Sequence, residues 1–214
     1  MTVNFADLRR EYSHAALDEA DVDPCPTRQF DAWFREAVER NLEMPNAMVL
    51  ATCGADGQPS ARFVLLKDYG TEGFVFYSHA GSHKGRQLAE NPRAALLFYW
   101  EPLHRQVRIE GSVEEMPAEE AAEYFASRPY GARLSACAAS QSSVVPSRAF
   151  LESRREELDR KYRGGDVPPP GTWRGYRVRP ASFEFWQGRE DRLHDRIRYE
   201  PDGQGGWTIR RLAP

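Results

Sequence analysis

The chain has 214 residues, enough for one larger domain or two small ones. At that size roughly 70% of the unfolded surface can be buried, so a core needs no disulfide or metal staples. With 29 basic against 32 acidic residues the formal net charge is -3, which excludes a global basic field for nucleic acid and makes local basic clusters stand out.

Residues 1–26 are acidic and polar, and read as a mobile arm with a short helical piece around Asp7–Tyr12. The arm lacks the apolar centre of a signal peptide. No apolar run in the chain approaches the roughly 20 residues that span a bilayer. Thr27 is placed to cap a helix through Leu42, with Phe30, Trp33, Phe34, Ala37 and Val38 on one stripe, and Pro45 ends it. The texture then turns to β. Strands are expected over Ala47–Thr52 and Ser60–Lys67, joined by an Ala55-Asp56-Gly57 turn, and over Gly73–Ser78, Leu96–Trp100 and Arg105–Val113. Helices are expected over Ser82–Glu90, Ala118–Ser127 and Ser147–Tyr162. Gly164-Gly165 and Pro168–Gly171 mark a loop. Strands follow at Gly175–Arg179, Ser182–Trp186, Arg192–Tyr199 and Gly206–Leu212, the last pair turning through Asp202-Gly203 and Gly205-Gly206. The pattern predicts a mainly β protein: a closed or nearly closed antiparallel barrel with peripheral helices. Residues 27–214 are read as one domain, because the last strands are too few to make a core alone.

Three cysteines, Cys25, Cys53 and Cys137, are widely spaced with no CxxC pair, which fits a reducing cytosol and argues against a zinc site. The five histidines are scattered, so no metal is indicated, and GxGxxG, P-loop and GxSxG motifs are absent. Polar chemistry concentrates elsewhere. If Arg192–Arg196 is a strand, Arg192, His194 and Arg196 share one face, two fixed cations flanking an imidazole. That row suits an anion or a polar ring, or else is a solvated edge. Ser82 is positioned to cap the helix that carries Lys84 and Arg86, where cations oppose the helix dipole unless an anion binds. Arg62 and Lys67 are five apart, so a ligand could meet both only if the strand bulges or Lys67 lies at its end. Gln106 and Arg108 form a polar row that alone reads as a wet outer face. Arg128 could satisfy helix-terminal carbonyls, and Ser140–Ser143 could be a plain polar loop.

Together these segments resemble one family, the pyridoxine/pyridoxamine 5'-phosphate oxidases, which carry FMN on a split β-barrel. The resemblance rests on Leu8–Tyr12, Arg62–Lys67, Phe76–Ser78, Gly81–Lys84, Glu101–Gly111 and Tyr124–Pro129. It continues through Gln141–Ser143, Glu184–Gly188, Arg192–Arg196 and Arg211–Pro214. It implies a cytoplasmic homodimer with FMN at the subunit interface, acting on vitamin B6 phosphates and O2, with no nucleic acid or membrane partner. By that likeness Arg62 and Lys84 hold the FMN phosphate, aided by Tyr77, Ser78 and His83. Gln106 meets the flavin ring, and Gln141, Ser142, Trp186 and Arg196 complete the site, partly from the partner. Lys67 borders both ligands and, with Tyr124 and Arg128, takes the substrate phosphate. Arg192 and His194 hold the pyridine ring as the catalytic pair, and Arg9 and Tyr12 close over it. The implied reaction moves a hydride from the substrate C4' to the flavin and reduces oxygen to hydrogen peroxide, yielding pyridoxal 5'-phosphate.

Three positions depart from the family pattern. Ala132 stands where a phosphate-binding serine is usual, His83 where an Arg or Lys is usual, and Ser135-Ala136-Cys137 where Gly-Ala-Trp is common. The alternatives are a flavin oxidase of the phenazine-biosynthesis type on the same fold, and a non-catalytic flavin- or pyridoxal phosphate-binding barrel. Lys67 with the Tyr124/Arg128 pair favours the vitamin B6 reading.

Overall fold

The computed structural model describes residues 16–214. Arg9, Tyr12 and the expected helical piece at Asp7–Tyr12 lie outside the described residues. Among the described residues there are five α-helices: α1 (Pro26–Glu39), α2 (His83–Glu90), α3 (Ala118–Ser127), α4 (Tyr130–Ala138) and α5 (Arg148–Tyr162). The strands are β1 (Ala47–Cys53), β2 (Pro59–Leu65), β3 (Asp68–Gly70), β4 (Gly73–His79) and β5 (Arg93–Trp100), then β6 (Arg105–Glu115), β7 (Trp173–Gln187), β8 (Asp195–Pro201) and β9 (Trp207–Arg211). Their hydrogen-bonded order is β2-β1-β5-β6-β7-β4-β3, with β8 on β7 and β9 on β8. The chain divides into two compact units, the first made of residues up to Leu50 with Ala95–Gly111 and Pro180–Pro214, the second of Ala51–Ala94 and Ser112–Arg179.

In the first unit α1 begins one residue before the expected cap and stops three residues early. Cys25 is the N-cap and Pro26 occupies the first turn, where its fixed φ suits a helix and its missing N–H costs nothing. Thr27 therefore lies inside the helix. Asp23 accepts from Cys25 N at 2.7 Å and shapes the entry. Past Glu39 the chain turns left-handed at Asn41 (φ 53), which ends the helix before Leu42 and Pro45. Phe30, Trp33 and Ala37 are buried, whereas Val38 at the stripe's edge is 49% exposed. Phe30 meets Phe98 edge-on at 5.0 Å and Trp33 meets Phe185 at 5.2 Å, so the helix lies on an aromatic core. The stretch preceding α1 is tied down from Leu17 onward: Leu17 N donates to Asp195 at 3.0 Å, and Tyr199 Oη donates to Asp23 O at 2.8 Å.

Two expected strands prove to be one. β7 runs unbroken through Pro180, because the ladder changes partner there: Trp173–Val178 pair with β4 and Phe183–Gln187 with β8. A proline without a donor is tolerated at such a gap. The Arg192–Tyr199 strand is shorter than expected. Gln187 pairs with Asp195, so residues 188–194 must reverse the chain, and they do so through Asp191 (φ 52) and Arg192 (φ 64). Arg192 and His194 thus precede β8, and the three-residue strand face of Arg192, His194 and Arg196 does not form.

In the second unit α3 follows its expected bounds, and Ser147 caps α5 by accepting from Phe150 N at 3.1 Å. α4 and β3 were not legible. The α4 sequence YGARLSACA is rich in small residues and buries only Leu134 and Ala138, so its periodicity is faint. Ala121, Phe125, Leu134, Ala138, Leu158, Val167 and Trp173 form one apolar cluster under the three helices α3, α4 and α5. Among the described residues, no helix is long and apolar enough to cross a membrane.

Candidate active site

The first polar constellation lies in the second unit and starts on β2. Arg62 donates through Nη1 to Thr52 Oγ1 at 2.6 Å and through Nη2 to Ser60 Oγ. Both hydroxyls in turn donate to Gln87 Oε1, at 2.6 and 2.7 Å. The guanidinium is therefore aimed by a buried amide on α2. Sequence reading missed Thr52, Ser60 and Gln87; the only available signal was the alternation of Ser60 and Arg62 along an otherwise apolar strand.

α2 then delivers Lys84. Ser82 is the N-cap, accepting from Gly85 N at 3.2 Å, as expected. At Gly85 a Cβ would sit 2.3 Å from Ala80 O, so only glycine lets the loop close onto the helix. Lys84 is 8% exposed, and its Nζ donates to Ser78 Oγ at 3.3 Å and to Gln141 Oε1 at 3.1 Å. Burial holds its ammonium below the usual lysine range, and the charge of Arg62 lowers it further. An ammonium with a cation nearby and only neutral hydrogen-bond partners is a place where an anion is stabilised. Arg86 turns back to donate to Gly81 O, which braces the loop before α2. Ser142, in the left-handed region at φ 69, accepts from His83 N at 3.2 Å, which joins the Ser140–Ser143 loop to the start of α2. The His83 side chain is exposed.

Beside these groups stands a row of rings and cations. Lys67 lies just past the end of β2, with its backbone N donating to Val75 O at 2.9 Å, which resolves the parity conflict with Arg62. Its Nζ is 5.8 Å from the Tyr124 ring, Tyr124 stacks on Tyr77 at 3.8 Å, and Tyr77 lies parallel to Trp173 at 6.3 Å. The guanidinium of Arg128 covers Trp173 at 4.7 Å. Arg128 caps α3 through its backbone, but its Nη1 is buried without a hydrogen-bond partner among the described residues. Burial lowers its pKa. Tyr77, Ser78, Arg128, Ala132, Gln141 and Ser142 border one cleft of ≈ 690 Å³. His79, not anticipated from the sequence, lines the same cleft; its Nδ1 meets Thr172 Oγ1 at 3.0 Å. Burial, then Arg128 and Lys84, hold its imidazole below the usual histidine range. A buried, unanswered guanidinium N–H, a buried ammonium and stacked rings fit a ligand that joins an anionic group to a planar aromatic one.

The second constellation lies in the first unit. Trp186 on β7 faces Arg196 on β8 across the ladder, and its ring lies 4.7 Å from that of His194. His194 Nδ1 accepts from Arg189 N at 3.1 Å, so the neutral ring carries its proton on Nε2 and presents a donor there. Burial and the neighbouring Arg192 both push the imidazole toward that neutral form. Glu184, with a side chain 5% exposed, accepts from Arg108 Nη2 at 2.6 Å and from Arg196 Nε at 2.8 Å. Arg108, with a side chain 37% exposed, therefore gives one edge of its guanidinium to a buried carboxylate. Gln106 is half-buried on β6 next to the buried Val107, and Arg192 is exposed on its turn.

The sequence model of the family described as "Pyridoxamine 5'-phosphate oxidase" matches residues 34–162. Residues 173–214 match the "Pyridoxine 5'-phosphate oxidase C-terminal dimerisation region". A pyridoxine/pyridoxamine 5'-phosphate oxidase of Burkholderia multivorans is 57% identical over 211 residues, 98% of each chain. One of Burkholderia mallei is 54% identical over 211 residues, again 98% of each. Among solved structures, PhzG from Burkholderia lata 383, in complex with tetrahydrophenazine-1-carboxylic acid, is similar with a TM-score of 0.89 and 30% identity, covering 96% of this chain and 100% of that one. A pyridoxamine 5'-phosphate oxidase-related, FMN binding protein from Nostoc punctiforme shares the fold at a TM-score of 0.70 and 17% identity, covering 89% and 98%. The split-barrel class expected from the sequence is therefore the fold of this chain.

Proposed function

The chain belongs to the pyridoxamine 5'-phosphate oxidase family, and on that premise we propose that it oxidises pyridoxamine 5'-phosphate and pyridoxine 5'-phosphate to pyridoxal 5'-phosphate. The observation that carries this reading is the row of Lys67, Tyr124, Tyr77, Trp173 and Arg128, whose buried Arg128 Nη1 awaits an acceptor. Lys67, Tyr124 and Arg128 take the substrate phosphate in this reading, and Ala132 leaves that phosphate one hydroxyl poorer. Arg62, Ser78, Lys84, Gln141 and Ser142 hold the phosphate of FMN, with Tyr77 and His83 beside them. Gln106, Trp186 and Arg196 meet the flavin ring system. Bound FMN would supply the hydride acceptor and the path by which oxygen becomes hydrogen peroxide.

The protein's own contribution is binding, alignment and proton placement. His194, protonated on Nε2, donates to the 3-hydroxyl oxygen on the pyridine ring of the substrate, and Arg192 orients C4'. We take the enzyme to be a cytoplasmic homodimer with FMN at the interface. The match of residues 173–214 to a dimerisation region supports that assembly, as do Phe63 and Leu193, which a lone chain leaves 77% and 70% exposed. Residues 27–214 are read as one domain, with Leu17–Cys25 tied to its C-terminal strands through Asp195, Tyr199 and Arg211.

The test is anaerobic addition of pyridoxamine 5'-phosphate to the FMN-loaded protein while flavin absorbance is followed. Bleaching that air reverses, with pyridoxal 5'-phosphate and peroxide formed, is the expected result. Full FMN occupancy without bleaching would instead favour the phenazine-type oxidase or a binding protein. A chain that refuses FMN would overturn the cofactor.

A further inference from the structure

The segment Arg211–Pro214 is a motif the reaction leaves unused, yet it makes contacts out of proportion to its burial. Residues 212–214 belong to no helix or strand, and Ala213 and Pro214 are exposed. Leu212 is half-buried, and hydrogen bonds carry the path of the exposed residues beyond it. Leu212 N donates to Arg196 O at 2.8 Å, and Arg196 Nη1 donates to Ala213 O at 2.8 Å. The same guanidinium gives its Nε to Glu184 at 2.8 Å. Arg196 is thus gripped on two edges, by a buried carboxylate and by a main-chain carbonyl.

Arg211, which faces Ile197 across the β8–β9 ladder, secures the base of this grip. Its Nη1 donates to Asp195 at 2.7 Å, its Nη2 to Glu19 at 2.6 Å and to Leu17 O at 3.1 Å. Asp195 also accepts from Leu17 N at 3.0 Å and from Arg189 Nη1 at 3.2 Å. The residues on either side of Asp195 are His194 and Arg196.

We propose that Arg211–Pro214 is a positioning clasp, which holds the Arg196 guanidinium in the one orientation that serves the flavin site. The inference rests on the assignment of Arg196 to FMN. The physical reason is entropic. An arginine side chain has many rotamers, and fixing it before the ligand arrives removes that ordering cost from binding. Glu184 alone fixes one edge and leaves rotation about it; the Ala213 carbonyl removes that freedom.

The test is a double-mutant cycle on FMN affinity, read by quenching of flavin fluorescence as apoprotein is titrated. One arm is truncation after Arg211. A milder arm is Leu212→Pro, which removes the N–H that ties the segment to the Arg196 carbonyl and keeps the chain at full length, should the truncated chain not fold. Each is measured alone and combined with Arg196→Ala. The expected result is FMN binding about tenfold weaker for either clasp variant and for Arg196→Ala, with no further loss on combination. Equal weakening with and without Arg196, or no weakening at all, would overturn the clasp. FMN affinity unchanged by Arg196→Ala itself would overturn the assignment of Arg196 to the flavin, and the clasp with it.

Discussion

At the scale of single residues, the site combines fixed charges with shifted ones. Arg62 and Arg128 remain cations at any working pH, but Lys84 is buried beside Arg62 and its ammonium is easier to lose than usual. A bound phosphate favours the protonated form, so FMN affinity should fall as pH rises into the alkaline range. Lys84→Gln should weaken FMN binding throughout and flatten that dependence; an unchanged alkaline slope in the variant would assign it elsewhere. Ala132 is the counterpart on the substrate side. It borders the cleft with Arg128 but offers no donor. Ala132→Ser should tighten phosphorylated ligands by about two- to tenfold, since one neutral hydrogen bond contributes about 0.5–1.5 kcal/mol. Pyridoxamine without its phosphate should be unaffected, and a gain for both ligands would remove Ala132 from the phosphate site. Several of these residues were legible because a charge in an apolar strand is costly to bury without a partner, and a serine ahead of a helical stretch marks a cap. Thr52, Ser60, Gln87 and Glu184 were not, because each acts by touching another side chain far away in sequence.

At the scale of elements, α2 shows how local rules set a functional group. Ser82 caps it, Gly85 lets the preceding loop approach, and Lys84 between them is driven inward. Gly85→Ala would place a methyl 2.3 Å from Ala80 O and 2.5 Å from His79 O, both backbone atoms that cannot turn aside. The expected outcome is a protein that loses FMN at least as fully as Lys84→Gln and melts lower, whereas Ser82→Ala should cost only about 1 kcal/mol of stability. Thermal melts with and without FMN check both, and a Gly85→Ala protein with native FMN affinity would show that the loop relaxes freely. The turn at residues 188–194 makes the opposite point. Its last three residues, Arg192–His194, alternate well enough to read as the start of a strand, yet the Gln187–Asp195 pairing leaves them to reverse the chain. Register, decided between β7 and β8, overrode the local pattern.

At the scale of the whole molecule, one buried and one half-buried histidine couple stability to pH. Burial holds His79 below the usual range, reinforced by Arg128 and Lys84; burial and then Arg192 do the same for His194. The unfolded chain takes up protons on these rings as pH falls below about 6.5, while the folded chain resists. Stability should therefore be greatest above that pH, decline as pH falls through it, and level off below the folded values. Melting temperature measured from about pH 8 to about pH 5 tests the sign, and His79→Gln should remove part of the slope. A melting temperature that rises on acidification would contradict both assignments.

What the sequence determined by itself was most of the elements, α4 and β3 excepted, and the class of the fold. The strand alternation, the caps at Ser82 and Ser147 and the Asp202–Gly206 turn are local properties, governed by neighbours a few residues away. Resemblance along the chain then named the family and its candidate residues. Tertiary structure alone decided which polar groups meet. The stacking of Tyr124 on Tyr77, the grip of Gln87 on the Ser60 and Thr52 hydroxyls that hold Arg62, and the hold of Ala213 on Arg196 join residues 47, 27 or 35, and 17 positions apart. Such contacts have no local energetic signature. They arise only once burial has brought distant strands and helices together and every enclosed donor must find its acceptor.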